Sequence, residues 1–153
     1  MKARQLIGVI GGSQPTDEGL RLAHEVGQEI AKNGAVTVCG GLGGIMEAAA
    51  KGAFEAGGEV VGILPGPDSS GANDFVTLPI ATNMGHARNI IIAHSAMALI
   101  VVEGEYGTVS EIAIGLKLGK PVFVLPGGQM LSGCTAVTTP RQAVLKALGG
   151  GDP

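Results

Sequence analysis

The chain has 153 residues, of which 45% are hydrophobic and only 15% charged, and this balance excludes a disordered chain. An aromatic content of 3%, no tryptophan and a formal charge of −3 argue against nucleic-acid binding, which uses stacking platforms and basic patches. No apolar run approaches the roughly 20 residues of a membrane span. We therefore expect one domain over residues 1–148 with a frayed tail at 149–153, and neither nucleic acid nor membrane as a partner.

Apolar runs of strand length alternate with helical patterns through the first half of the chain. The alternation predicts strands at residues 6–10, 35–39 and 59–64, with helices at 17–33 and 45–56. A loop at 65–74 follows, because it is rich in proline, glycine, serine and aspartate. Residues 75–78 are predicted to form a short fourth strand.

The second half continues the same alternation. The predicted elements are a helix at 85–95, a strongly apolar strand at 96–102, a helix at 108–118, a strand at 122–125, a loop at 126–139 and a terminal helix at 140–148. Such a pattern is typical of a Rossmann-like, doubly wound α/β fold, with a mainly parallel sheet and helices on both faces. Ligands of these sheets bind at the carboxyl ends of the strands, where the strand order reverses.

Glycine is the most unusual feature of the composition, with 27 residues that cluster in strand-to-helix turns. Glycine lets backbone N–H groups approach an anion, and the helix that follows adds free N–H groups and a partial positive charge. A tight turn without a ligand explains any one cluster equally well, but three on one edge of the sheet favour binding of a phosphorylated, nucleotide-like small molecule. The candidate binding residues are Gly11, Gly12, Ser13, Gly40, Gly41, Gly43, Gly44, Gly104, Gly107 and Thr108.

Other common sites do not fit the sequence. The glycines after residue 40 lack the third glycine and the acidic residue of a dinucleotide fingerprint. His24, His86 and His94 have no metal-ligand spacing with each other or with Cys39 and Cys134, so we expect no metal and no cofactor. Two cysteines make no disulfide framework, which favours a cytoplasmic location.

Three segments give the chain a specific resemblance: GHARN at 85–89, GEYGTVSEI at 104–112 and LGKPV at 118–122. Over roughly residues 5–126 the chain resembles the Lonely Guy family, often labelled lysine decarboxylase-like. It looks closest to a small bacterial branch that is similar to molybdenum cofactor carrier proteins. The label itself is nominal, because Lys51, Lys117 and Lys120 show no setting for a cofactor-bearing lysine.

The resemblance implies a Rossmann-like dimer that hydrolyses the N-glycosidic bond of a nucleoside 5′-monophosphate to a base and ribose 5-phosphate. It assigns Arg88 as the catalytic arginine and Glu111 as the catalytic glutamate. The cleavage passes through an oxocarbenium-like state, which a carboxylate beside the ribose can stabilise. Two structural alternatives remain open: a capping box between Thr108 and Glu111, and a surface or dimer salt bridge of Arg88.

One departure from the family pattern leaves the function open. The family's loop commonly begins with glycines, whereas this chain has Glu103 and Glu105, and a carboxylate near a phosphate weakens its binding. The chain is therefore either a phosphoribohydrolase, a non-catalytic carrier of a phosphorylated ligand such as the pterin-based molybdenum cofactor, or a nucleotide sensor. The apolar helix around Ile90, Ile91 and Ile92 predicts a homodimer.

Overall fold

The computed structural model of the chain describes residues 3–151 and contains a seven-stranded sheet flanked by helices. A single 3₁₀ turn, Gly85–Ala87, leads into the third α-helix. The elements in chain order are β1 (Leu6–Gly11), α1 (Asp17–Lys32), β2 (Val36–Cys39), α2 (Ile45–Glu55), β3 (Val60–Leu64), β4 (Leu78–Ala81), α3 (Arg88–Ser95), β5 (Ala98–Val102), α4 (Tyr106–Lys117), β6 (Val122–Val124), β7 (Thr135–Ala136) and α5 (Pro140–Ala147).

All strand pairs in the sheet are parallel, and the strand order is β4-β3-β2-β1-β5-β6-β7. The chain winds outward from β1 to β4, then returns to place β5 on the other side of β1. The order therefore reverses between β1 and β5, and the loops after these two strands diverge to leave a crevice. The predicted Rossmann-like fold class is confirmed, and the sheet is parallel throughout.

Helices cover both faces of the sheet. Because side chains alternate along a strand, Ile7 and Val9 of β1 pack with α1, α2 and α5, whereas Ile10 packs with α3 and α4. The central strand β5 is buried along its whole length, as is usual in a parallel sheet with helices on both sides. This packing fixes the strand ends from which the site is built.

Helices α1 and α2 approach each other closely enough for backbone contact. A Cβ atom on Gly27 of α1 would lie 2.0 Å from the carbonyl oxygen of Ala49, and one on Gly52 of α2 would lie 2.0 Å from the carbonyl oxygen of His24. Neither distance leaves room for a side chain. The two helix-interior glycines are therefore required by packing rather than by backbone conformation.

The structure corrects two predicted elements at the edges of the sheet. The fourth strand is Leu78–Ala81 rather than 75–78, because Asn73 Oδ1 accepts the N–H of Phe75 and holds that segment in a turn. The predicted loop at 126–139 contains β7, whose two residues are too few to produce an alternating pattern. Both edge strands are exposed, so hydrophobic periodicity is weak there.

The predicted tail at 149–153 begins with two glycines that still close α5. The N–H of Gly149 donates to Lys146 O and that of Gly150 to Leu145 O. Asp152 and Pro153 lie outside the described residues, as do Met1 and Lys2. Within residues 3–151, none of the helices has the length and apolar character needed to cross a membrane.

Candidate functional site

A pocket of about 230 Å³ opens in the crevice at the carboxyl ends of β1, β2 and β5. It lies where the strand order reverses, at the position expected for a ligand of this fold. Its floor is formed by β1 and its walls by the turns and helices that follow the three strands. The lining residues are Val9, Ile10, Gly11, Ser13, Gly40, Leu42, Met46, His86, Arg88, Asn89, Glu105, Gly107, Thr108 and Glu111.

Arg88 begins α3 and is buried, with 7% of its surface exposed. Its guanidinium donates to Ile63 O at 2.8 Å, to Gly40 O at 3.3 Å and to Asn89 Oδ1. It thus ties the ends of β2 and β3 to α3. The surface salt bridge considered for Arg88 is wrong, since its partners are two carbonyls and an amide inside the protein.

Asn89 extends this network towards α4. Its side-chain amide accepts from Arg88 and donates to Gly107 O at 3.5 Å and to Ser110 Oγ at 3.4 Å. Asn89 is buried and lines the pocket, although no role was predicted for it from the sequence. Its place directly after Arg88 in the GHARN segment was the available signal.

Glu111 lies in α4 on the opposite wall and is only 6% exposed. Its side chain makes no hydrogen bond or ion pair within the described part of the chain; the donors of Arg88 reach other acceptors. Burial raises the pKa of the Glu111 carboxyl to about 8, although the nearby Arg88 charge opposes the shift. At neutral pH the pocket therefore contains a mostly neutral carboxyl group, able to donate one hydrogen bond and accept another.

Burial likewise lowers the pKa of the Arg88 guanidinium, and the charge of Glu111 works against that shift. The residue remains a cation, because an arginine side chain keeps its proton in proteins. The pocket thus combines one buried positive charge, already bonded to protein acceptors, with one neutral acid. The two residues that the resemblance assigned as a catalytic pair line the same pocket without an ion pair between them.

The capping box considered for Glu111 is also wrong. Helix α4 starts at Tyr106 and its N-cap is Glu105, whose N–H donates to Thr108 Oγ1 at 3.2 Å. Thr108 is therefore the third helical residue and is itself part of the cap. Glu111 lies a turn further along, where a carboxyl group cannot serve the helix start and faces the pocket instead.

The turn after β1 is occupied by a carboxylate of the protein. Ser13 donates its N–H to Glu105 Oε1 at 3.1 Å, and its hydroxyl lies 3.3 Å from both Glu105 oxygens. A Cβ atom on Gly12 would lie 3.0 Å from Oε1. The expectation that all three glycine turns direct free N–H groups at one anion is therefore corrected for this turn.

The carboxylate of Glu103 binds donors at the start of α1 in the same way. Its carboxylate accepts the N–H of Thr16 at 3.0 Å and also bonds the Thr16 hydroxyl. Gly19 leaves the room for it, because a Cβ atom there would lie 2.5 Å from the carboxylate. Glu103 has a φ of 57°, a left-handed conformation that is unusual for glutamate.

The first turn of α2, directly after the loop at 40–44, retains unpaired donors. Helix α2 has Gly44 as its N-cap without a side-chain cap, and the N–H of Ile45 donates to Gly12 O at 3.1 Å. Within residues 3–151, the N–H groups of Met46 and Glu47 in the first turn of α2 meet no acceptor. The start of α2 therefore has the free N–H groups that are typical of an anion site, whereas the N–H of Ser13 after β1 is already bonded.

The predicted site residues divide into two groups. Those that line the pocket are Gly11, Ser13, Gly40, Arg88, Gly107, Thr108 and Glu111. Those that lie in the surrounding turns without lining it are Gly12, Gly41, Gly43, Gly44 and Gly104. Gly41 and Gly44 shape their loop through positive φ values of 76° and 72°, whereas Gly43 has open space around it.

The cysteines and two of the histidines lie away from the pocket lining. Cys39 is fully buried, and burial raises the pKa of its thiol to about 11. His24 bonds Glu55 on the surface, whereas His86 lines the pocket. Among the described residues, no group of three histidine, cysteine or acidic side chains is arranged to hold a metal ion.

Comparison with known proteins gives matches along nearly the whole chain. An uncharacterised protein of Archaeoglobus fulgidus is 53% identical over 144 residues, which are 94% of either chain. The molybdenum cofactor binding protein of the phototrophic bacterium Rippkaea orientalis has a TM-score of 0.91 at 32% identity, with 97% of this chain and 98% of that chain covered. The molybdenum cofactor carrier protein of Chlamydomonas reinhardtii has a TM-score of 0.86 at 35% identity, with coverage of 96% and 99%.

These structures confirm the predicted similarity to molybdenum cofactor carrier proteins. The description of the matching family model is the SLOG cluster4 family, and the match runs over residues 4–147. It includes all the elements described above and the whole lining of the pocket. The chain belongs to the SLOG cluster4 family.

Proposed function

We propose that this chain is a non-catalytic binding protein for a phosphorylated pterin of the molybdenum cofactor type. The observation on which the proposal rests is the unpaired, mostly neutral carboxyl group of Glu111 in the pocket. A neutral carboxyl pairs well with an adjacent N–H donor and carbonyl acceptor, the pattern on the edge of a pterin ring. The names of the similar proteins from R. orientalis and C. reinhardtii support this ligand class.

The phosphate of such a ligand would bind at the 40–44 loop. The N–H groups of Met46 and Glu47 are unpaired there, and the positive end of the α2 dipole faces the same direction. The other two predicted turns are less suitable for a phosphate. The Glu105 carboxylate already occupies the turn after β1, and Glu105 also caps α4, the helix that follows the turn after β5. Gly40 of this loop, Arg88 and Glu111 line the same pocket, so one ligand can contact the loop and Glu111 together.

A phosphoribohydrolase is the second candidate, because Arg88 and Glu111 line one pocket. In that reaction the carboxylate of Glu111 would stabilise the oxocarbenium-like state of a nucleoside monophosphate. The charge state of Glu111 favours the binding protein over the hydrolase, since a carboxyl with a pKa of about 8 is mostly uncharged at neutral pH. Three of the five N–H donors of Arg88 are also bonded to protein acceptors.

Incubation with AMP, followed by chromatography for adenine and ribose 5-phosphate, distinguishes the two candidates. We expect no release from the wild type, and binding of the molybdenum cofactor in an equilibrium titration. Glu111→Gln keeps a neutral hydrogen-bonding group and should change cofactor affinity by less than about tenfold, whereas Glu111→Ala should weaken it by about tenfold or more. Glu25→Gln, on the exposed face of α1, is the matched control.

Two results would contradict the binding proposal. Release of adenine by the wild type and by Glu25→Gln, but not by Glu111→Gln, would assign the chain as the hydrolase. Failure of the wild type to bind the cofactor while it remains folded by circular dichroism would remove the ligand class altogether.

We also propose a homodimer that buries the exposed surface of α3 and of the turn before it. Ile90 is 45% exposed and Met84 is 47% exposed. An exposed apolar patch of this kind favours contact with another protein surface. Light scattering at micromolar concentration should then give twice the chain mass of 15.2 kDa. A mass equal to one chain would refute the dimer.

A cytoplasmic location is proposed as well. It is supported by Cys39 and Cys134, both of which are free thiols in the structure. Cell fractionation with an antibody to the chain tests it, and recovery in an extracellular fraction would contradict it.

A further inference from the structure

Glu105 precedes α4, and its carboxylate reaches across to the turn after β1, where the residue is held at both its backbone and its side chain. Its backbone N–H is fixed by Thr108 Oγ1, and its carboxylate is fixed by the N–H and hydroxyl of Ser13. These contacts join the start of α4 to the end of β1, across the crevice where the strand order reverses. Because both its backbone N–H and its carboxylate are hydrogen-bonded, Glu105 keeps this position without a ligand.

The Glu105 carboxylate occupies the position in which an anion would bind to the N–H groups of this turn. The N–H of Ser13 points at Glu105 Oε1, and the bare Cα of Gly12 allows the approach. Glu103 satisfies the N–H and hydroxyl of Thr16 at the start of α1 in the same way. Two carboxylates of the protein thus satisfy donors along the path from β1 to α1 that a phosphate would use.

We propose that Glu105 is a specificity-determining residue that excludes phosphate from the turn formed by Gly12 and Ser13. The ligand's phosphate is thereby directed to the 40–44 loop, and Glu105 accepts a hydrogen bond from an N–H or O–H group in the middle of the ligand. This inference rests on the proposed function, since it takes the pocket to be a site for a phosphorylated molecule. It adds which end of the pocket the phosphate occupies and which residue determines that choice.

The consequence is selection by the arrangement of charge in the ligand. A molecule whose phosphate must bind after β1 meets the negative charge of Glu105 and also has to displace it from Ser13. A molecule that offers hydrogen-bond donors at this point, with its phosphate elsewhere, meets a complementary acceptor. The same residue therefore rejects one class and selects the other.

Titration with inorganic phosphate and with AMP, in the wild type and in Glu105→Ala, tests the inference. We expect Glu105→Ala to bind both anions at least about tenfold more tightly, because a phosphate dianion within about 6 Å of a carboxylate is disfavoured by that factor even at the dielectric constant of water. Glu105→Gln removes the charge while keeping the side-chain size, and should show a gain in the same direction. Glu25→Gln removes one negative charge far from the turn and should bind phosphate as the wild type does.

A second substitution locates the gain. Adding Ser13→Ala to Glu105→Ala removes the hydroxyl donor of the turn, and should cancel a large part of the new phosphate affinity. Equal phosphate affinity in the wild type, Glu105→Ala and Glu105→Gln would overturn the inference. So would a gain that Ser13→Ala leaves unchanged.

The molybdenum cofactor provides the separate test of the proposed function. If the wild type binds the cofactor and the Glu105 variants gain no phosphate affinity, the inference fails and the proposed function stands. If the Glu105 variants gain phosphate affinity but the wild type does not bind the cofactor, the ligand class is wrong and the role of Glu105 in excluding phosphate stands.

Discussion

Burial of Glu111 makes the stability of this fold depend on pH. Its pKa rises from the ordinary value of 4.5 to about 8 in the folded chain, so between these values the folded state keeps a proton that the unfolded state has lost. The free energy of unfolding therefore falls as pH rises through this window and levels off above it. Urea unfolding of the wild type and Glu111→Gln at several pH values measures the effect.

Glu111→Gln should match the wild type in stability at the acidic end of the window. At the alkaline end it should be more stable, by an amount of the order of a few kcal/mol, because it buries no charge. A stability difference between the two proteins that is the same at both ends would show that Glu111 does not titrate within the window.

The sequence was sufficient to predict that Arg88 and Glu111 lie at one pocket, because Arg88 begins the helix before β5 and Glu111 lies in the helix after it. It could not predict where the Glu105 carboxylate lies, since that depends on a contact with Ser13, which is 92 residues away in the chain. The role of Asn89 was missed for the same reason: its partners Gly107 and Ser110 lie on another helix. Side-chain direction across the crevice is a property of the folded state.

At the scale of elements, the close contact of α1 and α2 gives a stability prediction. Gly27→Ala improves helix propensity by about 1 kcal/mol, but the new Cβ would lie 2.0 Å from a carbonyl oxygen of α2, which overpacks the contact. We expect a net loss of about 1–3 kcal/mol in the free energy of unfolding, measured by urea denaturation. The melting temperature of Gly27→Ala should also be lower than that of the wild type, because the new side chain pushes α1 and α2 apart.

Gly107→Ala is the matched control in a helix. The nearest atom to a Cβ there is Asn89 Nδ2 at 3.6 Å, an ordinary contact, so its stability should be unchanged or slightly higher. A Gly27→Ala protein as stable as the wild type would mean that α1 and α2 can move apart at little cost.

Central elements could be predicted from the sequence better than edge elements. Strand β5 is buried on both faces and reads as a continuous apolar run, so its existence and type were clear. The edge strands β4 and β7 are exposed, and β7 has only two residues, so neither produces a periodic signal. Their places are determined by pairing with β3 and β6, which the local sequence does not encode.

For the whole molecule, the strand order determines where a ligand can bind. Alternation of strands and helices predicts a parallel sheet, but the order β4-β3-β2-β1-β5-β6-β7 is what places the turns after β1 and β2 beside the start of α4. The pocket, the neutral acid Glu111 and the carboxylate Glu105 all lie at this one reversal. We therefore expect the ligand to bind at the carboxyl ends of β1, β2 and β5.

A crystal structure of the chain with bound molybdenum cofactor would show the position of the ligand. We expect the phosphate at the N–H groups of the 40–44 loop and the first turn of α2, the ring beside Glu111, and Glu105 still bonded to Ser13. A phosphate bound to Gly12 and Ser13, with Glu105 displaced, or a cofactor bound away from the pocket, would contradict this expectation.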